Sequence, residues 1–421
     1  MSRRIALVVP AFPKISETFV VNKFLGLLER GWDVHVVCDR SDPADWAFFP
    51  QLSAFPGVRA RVHQSWPHRP RWRAALLIPA ALVRCLLAAP RRSLRYLWRA
   101  RALGFGVFRR LYLDAELVRL HSDLIHFEFG ALAVDRMDLR EWLGGPVVVS
   151  FRGYDLNFVG LEEPAFYAPV WQKAAALHLL GEDLWRRAVR RGCPADKRHV
   201  LIPPAIDTAF FDPARSERPE GGGPFRILSV GRLEWKKGYE DALVAARRLV
   251  DRGIEFEYRI LGEGEFLGGL GFACHQLGLE GRVVFLGKGS RESVRAEMRA
   301  ADVFLHAAVS EGFCNAVLEA QAMGLPVVCT DADGLPENVE DGVTGLVAPR
   351  RNPKALSDAL AALAADPDRR ARMGSAGRAR VASRFRLEEQ VDAFSRLYES
   401  VLSGRPGADE SLGTAVSGVP A

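Results

Sequence analysis

Short apolar runs with strand character alternate with helix-length segments along the whole chain, and this alternation constrains the fold more than any other feature. In the first half the runs cover residues 5–9, 34–38, 124–127 and 147–151. In the second half they cover residues 225–230, 255–261, 283–286, 303–306 and 327–329. Strands separated by helices form parallel sheets with crossover connections. The sequence therefore predicts an α/β protein with two open parallel sheets, and a ligand in the cleft between them at the carboxyl ends of the strands.

A polar segment rich in glycine and proline, residues 215–224, separates the two series of strands. Its composition is typical of a flexible connection, so we predict domains at residues 1–205 and 206–385. The length of 421 residues and the hydrophobic content of 48% fit two packed cores. Apolar residues recur on one face of a helix predicted at residues 386–402. The polar tail at residues 403–421 is predicted to be disordered.

The cysteines and the N-terminus indicate a reducing compartment. The 6 cysteines include no C-x-x-C pair. This pattern favours free thiols and argues against a zinc site. The apolar run at residues 5–10 is too short for a signal peptide and fits a buried first strand. We therefore expect a cytoplasmic protein.

Residues 46–113 contain 13 arginines and no lysine, aspartate or glutamate. An apolar run at residues 74–83 lies between stretches rich in arginine and aromatic residues. This run is shorter than the roughly 20 residues that span a bilayer, so the pattern favours a helix lying on an anionic membrane surface. A solvated helical hairpin is the alternative. No nucleic-acid-binding motif accompanies the charge, so we expect a peripheral membrane contact through residues 69–110 and no nucleic-acid partner.

Two glutamates eight positions apart, Glu311 and Glu319, enclose a small-residue turn after the predicted strand at residues 303–306. Asn315 is predicted to cap the helix that begins there, and Gly324 to end it. The free N–H groups at such a helix start attract phosphate. Carboxylates tolerate a nearby phosphate when they accept hydrogen bonds from hydroxyl groups, which sugars and riboses supply. The turn therefore indicates a nucleotide-sugar site.

Arg232 and Lys237 supply positive charge after the predicted strand at residues 225–230. The guanidinium offers a planar fork and the ammonium a mobile point charge, and together they can neutralise a departing nucleoside diphosphate. Either segment alone is also compatible with an ordinary basic loop or helix cap. Both segments in this order favour the nucleotide-sugar site.

The second half of the chain resembles the retaining glycosyltransferases of family 4. These enzymes have the GT-B fold, in which two Rossmann-like, doubly wound parallel-sheet domains face a cleft. The resemblance covers residues 231–238, 262–264, 285–287, 311–319, 324–328 and 337–345 in the family's order and spacing.

The resemblance implies a role for each matched residue. Glu319 would hold the ribose hydroxyls, Glu311 the donor sugar hydroxyls, and Arg232 with Lys237 the diphosphate. Backbone amides at residues 313–315 would bind the distal phosphate, and the last helix would return to the first domain. The donor-binding residues implied in addition are Gly231, Gly287, Gly312, Phe313, Cys314 and Asn315.

The first half resembles a narrower group, the bacterial exopolysaccharide glycosyltransferases of the colanic-acid type, at residues 13–20 and 126–129. This resemblance suggests that Ser16, Glu17 and His126 contact the acceptor or the donor sugar. Two structural alternatives remain. Ser16 would cap the helix that enters at Glu17, and His126 would be a packed core residue.

Arg152 departs from the family pattern, which places a histidine before Gly153. Arginine stays protonated, so it can donate hydrogen bonds but cannot act as a base. One hypothesis is a fork between Arg152 and an acidic donor such as a uronic acid. The alternative is an ordinary contact with a donor hydroxyl. Asp155 is assigned to the same region of the site.

Two further signals point to cofactors but are weak. Asp331 and Asp333 match a metal-binding D-x-D pattern, yet they follow a predicted strand in a loop where aspartates form local hydrogen bonds. Glycines at residues 262–264 lack the spacing of a dinucleotide site. We therefore predict no metal and no cofactor.

These observations predict a retaining hexosyltransferase that uses a UDP-, GDP- or similar nucleoside-diphosphate sugar. The predicted acceptor is a hydroxyl of a lipid-linked or oligosaccharide substrate in bacterial exopolysaccharide or cell-surface glycan synthesis. The alternatives are a nucleotide-sugar epimerase of the same fold and a non-catalytic binder of nucleotide sugars or glycans. The nucleotide base, sugar, acceptor and linkage depend on loop shapes.

Overall fold

The computed structural model describes residues 3–14, 17–67, 70–215 and 223–404. Ser16, most of the predicted connection and nearly all of the predicted tail lie outside these residues. The described chain divides into two compact units. Unit 1 contains the residues up to Leu180, Leu184–Ile202 and those from Glu388 onward. Unit 2 contains Gly181–Asp183 and Pro203–Leu387.

The described part of unit 1 is built on a seven-stranded parallel sheet. Its strands are Arg4–Ala11 (β1), Asp33–Arg40 (β2), Val62–Gln64 (β3), Leu124–Phe127 (β4), Val147–Phe151 (β5), Ala176–Leu179 (β6) and His199–Leu201 (β7). Their order is β3-β2-β1-β4-β5-β6-β7. β4 and β5 are buried along their whole length, which explains why their sequences are apolar runs rather than alternating patterns.

Unit 2 repeats this arrangement with six parallel strands among its described residues. They are Phe225–Val230 (β8), Phe256–Leu261 (β9), Val283–Gly287 (β10), Val303–His306 (β11), Val327–Thr330 (β12) and Gly345–Ala348 (β13). Their order is β10-β9-β8-β11-β12-β13. Counted from the first strand of each unit, both sheets share the Rossmann order 3-2-1-4-5-6. The predicted fold class is confirmed.

Helices cover the sheets of both units. They are Thr18–Glu29 (α1), Pro43–Trp46 (α2), Pro50–Ala54 (α3), Arg71–Ala88 (α4), Pro90–Arg99 (α5), Gly106–Leu120 (α6), Gly130–Ala133 (α7), Gly153–Asn157 (α8), Ala168–Lys173 (α9), Glu182–Arg190 (α10), Tyr239–Asp251 (α11), Leu267–Gln276 (α12), Arg291–Ala300 (α13), Asn315–Ala322 (α14), Leu335–Asn338 (α15), Pro353–Ala365 (α16), Pro367–Arg384 (α17) and Leu387–Leu402 (α18). Within the described ranges, no helix is both long and apolar enough to cross a membrane.

The last helix, α18, packs into the core of unit 1 although it follows unit 2 in the chain. Its apolar face is buried at Val391, Phe394, Leu397 and Val401. A Cβ atom on Gly26 of α1 would lie 2.6 Å from Cγ2 of Val391. The two helices therefore approach so closely that only glycine fits at position 26 without a shift.

Candidate active site

The predicted donor site lies where the strand order of unit 2 changes direction. β8 and β11 are neighbours there, and each is followed by a loop that carries predicted site residues. In open α/β sheets this position is where ligands bind. A Cβ atom on Gly238, whose φ is +65°, would lie 2.0 Å from the carbonyl oxygen of Ala307. Glycine therefore lets the two loops touch at the carboxyl ends of their strands.

Lys237 and Glu311 form an ion pair across these loops. His306, the last residue of β11, lies beside them, with 3.4 Å between its Nε2 atom and Oε2 of Glu311. The three side chains are 13%, 16% and 5% exposed, so solvent screens their charges only weakly. The structure thus brings two predicted site residues together and adds a histidine that was not predicted as a site residue.

The charges in this cluster fix the ionisation of each group. Burial would raise the pKa of Glu311, but the charges and hydrogen bonds of Lys237 and His306 lower it to about 2. Burial would lower the pKa of His306, but its interactions with Cys314 and Glu311 raise it to about 9. Burial would also lower the pKa of Lys237, but the charges of Glu311 and Cys314 and the hydrogen bond to Glu311 together raise it. Near neutral pH Lys237 and His306 are therefore protonated and Glu311 is ionised, so the three groups have a net positive charge and Glu311 can accept hydroxyl hydrogen bonds.

Arg232 lies in the same loop as Lys237 and is close enough for its charge to act on that lysine. Its side chain is 60% exposed and forms an ion pair with Glu234, with 2.6 Å between Nη1 and Oε1. An exposed ion pair of this kind contributes little to stability. Arg232 can therefore exchange Glu234 for a phosphate at small energetic cost.

The turn before α14 differs from the prediction at one position. Cys314, with an extended backbone, is the residue before the helix, and Asn315 is the first helical residue rather than its cap. The cap comes from Asn338, whose Oδ1 accepts from the Cys314 N–H at 3.1 Å and whose Nδ2 donates to the Cys314 carbonyl at 3.1 Å. The Cys314 amide is thus used by the protein, and the phosphate prediction rests on the amides of Phe313 and Asn315.

Glycines complete the edge of the site. Gly231 follows β8 and Gly287 ends β10, so both lie at the same edge of the sheet. Gly312 is buried, and its carbonyl oxygen would lie 2.0 Å from a Cβ atom on Gly334. The loop after β12 therefore packs directly against the turn. Gly324 has φ +76° just beyond α14 and ends the helix as predicted.

Glu319 lies within α14 and is partly buried. Burial raises its pKa to about 7, and the charge of Arg291 at the start of α13 offsets this only in part. A carboxyl group in this condition is stabilised as a carboxylate when a ligand supplies hydroxyl donors. Arg291 was not among the predicted site residues.

The aspartates of the D-x-D pattern form hydrogen bonds and an ion pair with neighbouring protein groups. Asp331 accepts from the Arg350 N–H at 2.8 Å, and Asp333 accepts from the Ser310 hydroxyl at 2.6 Å. Asp333 also pairs with Arg350, with 3.0 Å between Oδ1 and Nη1. These partners lie 17 to 23 positions away in the sequence, so the aspartates join neighbouring loops rather than forming the local hydrogen bonds that the sequence suggested.

In the described ranges, one group of side chains has the composition of a metal site. The ligand atoms of His306, Glu311 and Cys314 lie within 4.8 Å of one another. Nitrogen, oxygen and sulfur donors of this kind suit zinc. However, Lys237 forms its ion pair with the same Glu311 oxygen that contacts His306. The absence of a metal requirement remains a prediction.

In unit 1, Arg152 and Glu17 lie near the carboxyl ends of the central strands. Arg152 pairs with the fully buried Glu128, with 3.2 Å between Nη2 and Oε2, and Glu128 also pairs with the buried Lys23. The Arg152 guanidinium lies 4.1 Å from the ring centre of Phe19. Glu17 immediately precedes α1 and pairs with Lys14.

Asp155 supports the backbone of this region. Its side chain accepts from the Arg152 N–H at 2.9 Å and from the Ala131 N–H at 3.0 Å. It is 1% exposed, and burial raises its pKa. Asp155 therefore orients the segment that carries Arg152, and its predicted contact with sugar is not supported by this geometry.

His126 is fully buried, as expected for the alternative in which it is a packed core residue. Its Nδ1 atom lies 2.6 Å from the Tyr398 hydroxyl, and its Nε2 atom lies 2.7 Å from the Ser150 hydroxyl. Ser150 in turn lies 2.7 Å from Nδ1 of His178, whose Nε2 atom lies 2.9 Å from the carbonyl oxygen of Ile202.

The Ile202 carbonyl fixes the direction of every hydrogen bond in this chain. Nε2 of His178 must donate to that carbonyl, so Nδ1 of His178 accepts from Ser150, and Ser150 accepts from Nε2 of His126. Tyr398 then donates to Nδ1 of His126. Burial lowers the pKa of both histidines, in agreement with two neutral rings. Both ring nitrogens of His126 are hydrogen-bonded within unit 1, so this residue offers no hydrogen bond to an acceptor.

Comparisons with known proteins agree with this fold. The family profile described as glycosyl transferases group 1 matches residues 211–380. The chain is 31% identical over 379 residues to the protein of Escherichia coli K12 assigned to colanic acid biosynthesis as glycosyltransferase WcaL, covering 83% of this chain and 88% of that protein. It is 29% identical over 412 residues to the amylovoran biosynthesis glycosyltransferase AmsK of Erwinia amylovora, covering 92% and 96%.

Solved structures share the architecture at lower identity. A glycosyltransferase from Rickettsia africae has a TM-score of 0.71 at 17% identity, covering 95% of this chain and 99% of that one. Anabaena Alr3699/HepE in complex with UDP-glucose has a TM-score of 0.71 at 17% identity, covering 94% and 99%. The fold and site define a glycosyltransferase built from two Rossmann-like units. The chain belongs to the group 1 glycosyltransferases.

Proposed function

We propose that this protein transfers a hexosyl group from a nucleoside-diphosphate sugar to a hydroxyl of a lipid-linked or oligosaccharide acceptor, with retention at the anomeric carbon. The observation that carries the proposal is the cluster of Lys237, Glu311 and His306 at the switch point of unit 2. Retention follows from the resemblance to family 4. The names of WcaL and AmsK support a role in exopolysaccharide synthesis, and the HepE complex supports a UDP- or similar donor.

Each predicted site residue of unit 2 has its own role in the transfer. Lys237 and Arg232 stabilise the negative charge that develops on the departing diphosphate. Glu311, held ionised by Lys237 and His306, accepts hydrogen bonds from the donor sugar hydroxyls. Glu319 accepts hydrogen bonds from the ribose. An oxygen of the leaving phosphate takes the proton of the acceptor hydroxyl, so the bond to the leaving group breaks as the new glycosidic bond forms on the same face.

The ion pair between Lys237 and Glu311 also affects which ligands the site binds. The Lys237 ammonium is paired with Glu311, so a donor must offer the ammonium a diphosphate while it offers Glu311 its hydroxyls. A ligand with only one of these groups breaks the ion pair without replacing both of its contacts, which is costly in a partly buried site. The site should therefore prefer complete nucleotide sugars over free sugars.

The location that fits this reaction is the cytoplasmic side of the membrane, where nucleotide sugars meet lipid-linked acceptors. We include a peripheral attachment to the inner face through the arginine-rich segment 69–110. Such attachment would hold the enzyme close to its acceptor without a spanning helix.

A transfer assay tests the proposal. The purified protein is incubated with a panel of UDP- and GDP-sugars and a bacterial membrane extract, and the products are analysed for sugar transfer and anomeric configuration. Lys237→Ala should lower the transfer rate by about two to three orders of magnitude, because it removes charge stabilisation in a partly buried site. Lys354→Ala, at an exposed ion pair on α16, is the matched control and should retain the rate.

The products also separate the alternatives. An epimerised donor without an acceptor would support an epimerase, and donor binding without turnover would support a non-catalytic binder. Inversion at the anomeric carbon, or a Lys237→Ala rate equal to that of the control, would overturn the proposal.

A further inference from the structure

Exposed apolar side chains are concentrated on one helical segment of unit 1. Among the described residues, 16 large hydrophobic side chains are exposed, and 8 of them lie between positions 72 and 105. The segment comprises α4, α5 and the turn before α6. The 8 side chains are Trp72, Leu76, Val83, Leu87, Leu94, Trp98, Leu103 and Phe105. We name this surface the α4–α5 face.

On α4 the apolar side chains form a continuous stripe. With 3.6 residues per turn, positions 72, 76, 83 and 87 fall within a sector of about 60°. The opposite side of the helix carries the buried Ala81 and Cys85, and Sγ of Cys85 lies 3.7 Å from the carbonyl oxygen of Ala115 in α6. One face of α4 therefore packs against the protein while the other presents Trp72, 67% exposed, and Leu87, 80% exposed.

On α5 and the turn that follows, the same division occurs. Leu94 and Trp98 are one turn apart and exposed, whereas Tyr96 is buried and donates a hydrogen bond to Oδ2 of Asp114 at 2.8 Å. Asp114 also pairs with Arg136, with 2.6 Å between Oδ1 and Nη2. Phe105 is 92% exposed. The inward side chains of α4 and α5 therefore bind α6, which fixes the positions of the outward side chains.

The charged residues within this segment have a single sign. Residues 46–113 contain no acidic residue. Exposed arginines flank the apolar side chains, among them Arg73, Arg84, Arg91 and Arg95. A second copy of the chain would bring like charges together. A surface with apolar anchors, tryptophan and arginine matches an anionic bilayer, which offers hydrocarbon below a layer of phosphate.

We propose that the α4–α5 face docks on an anionic lipid bilayer. The apolar stripe of α4 and the Phe105 ring enter the interface, and the flanking arginines bind headgroup phosphates. Because the inner side of α4 packs on α6, the helix lies in the plane of the interface. This proposal rests on the proposed function in one respect: it names the surface for the peripheral membrane attachment given there. The apolar and charged side chains that support it are independent of the reaction.

Sedimentation with lipid vesicles tests the docking. The full chain should bind vesicles of phosphatidylcholine with phosphatidylglycerol at least about tenfold more strongly than vesicles of phosphatidylcholine alone. The double variant Leu76→Ser/Leu87→Ser should lower binding to the anionic vesicles by at least about tenfold, because both anchors are lost. Arg91→Gln and Arg95→Gln should each lower it by about fivefold.

The matched control is Leu267→Ser/Phe272→Ser on α12 of unit 2, whose side chains are also exposed, at 43% and 66%. It should bind vesicles as the unmodified chain does. Equal binding to both vesicle types, or unchanged binding by the α4 variant, would overturn the proposal. So would a dimer in solution that the α4 variant dissociates while vesicles remain unbound.

A donor-binding assay on the same proteins separates this proposal from the proposed function. Thermal shift with UDP-glucose and GDP-mannose should give the same response for the α4 variant and the unmodified chain, because the donor residues lie in unit 2. Missing vesicle binding with an intact donor response would overturn the docking surface alone. Vesicle binding by a protein that shows no transfer or donor response would overturn the proposed function alone.

Discussion

The two units have the same strand order but use the charged residues near their central strands differently. In unit 2, Lys237 and Glu311 lie in the loops that follow β8 and β11 and remain partly exposed, and His306 lies beside them. In unit 1 Glu128 is fully buried between Lys23 and Arg152. His306 is the last residue of β11, whereas His126 lies inside β4 and is covered by Tyr398 of α18. Strand position and burial by a helix distant in sequence together distinguish the structural histidine from the one that faces a site.

The largest difference between the units should appear in stability. Lys23→Ala leaves Glu128 without its closest partner in the core and should lower the free energy of unfolding by about 3 to 5 kcal/mol. Lys237→Ala should cost less, about 1 to 3 kcal/mol, because Glu311 is partly exposed and keeps its contact with His306. Denaturant unfolding of both variants measures this. Equal losses would show that the two clusters are energetically alike.

Glu319 should make unit 2 sensitive to pH. Its pKa is raised from 4.5 to about 7, so between these values the folded protein keeps a proton that the unfolded chain has lost. Stability is therefore retained below about pH 4.5 and falls as the pH rises through 7, by about 1 to 3 kcal/mol from this group. Urea unfolding at several pH values should show that Glu319→Gln removes this decline. The same pH profile in both proteins would contradict the assignment.

The histidine network of unit 1 should respond to a single hydroxyl. Tyr398→Phe removes the donor to Nδ1 of His126 and leaves a buried acceptor without a partner, at a cost of about 1 to 2 kcal/mol. Thermal unfolding measures the loss. The transfer rate of the folded variant should stay unchanged, since the network does not reach the donor site. A large fall in rate with unchanged stability would instead place His126 in the reaction.

Metal removal should have the smallest effect. Treatment with EDTA should change the transfer rate by less than about twofold, because Lys237 and Arg232 supply the positive charge that a cation provides elsewhere. A loss of more than about tenfold, restored by zinc or magnesium, would instead assign a metal to His306, Glu311 and Cys314.

The apolar pattern predicted nine strands, and all nine are present, whereas four other strands among the described residues were missed. The four that it missed are β3, β6, β7 and β13. β3 and β7 are three residues long and half-buried at the ends of their sheet, so they lack a continuous apolar run. β6 contains His178, whose burial depends on Ser150 and Ile202, both distant in sequence.

The chemistry of the site was predictable in its residues but not in its pairing. The sequence indicated Lys237 and Glu311 because they follow strands, yet their ion pair depends on the contact between two loops. Asn315 was assigned as the cap because asparagine is a common one, whereas the cap is Asn338, more than twenty residues away. His306 could have been predicted from the sequence, because it is a titratable residue at the end of a predicted central strand.

The central claim is that Lys237 holds the diphosphate of the donor. Isothermal titration of the unmodified protein and Lys237→Ala with UDP and UMP, and with GDP and GMP, tests it most directly. The account predicts that the variant loses at least about tenfold in affinity for the diphosphate whose base the protein binds, and little for the matching monophosphate. Equal losses for both ligands, or unchanged diphosphate affinity, would contradict the account.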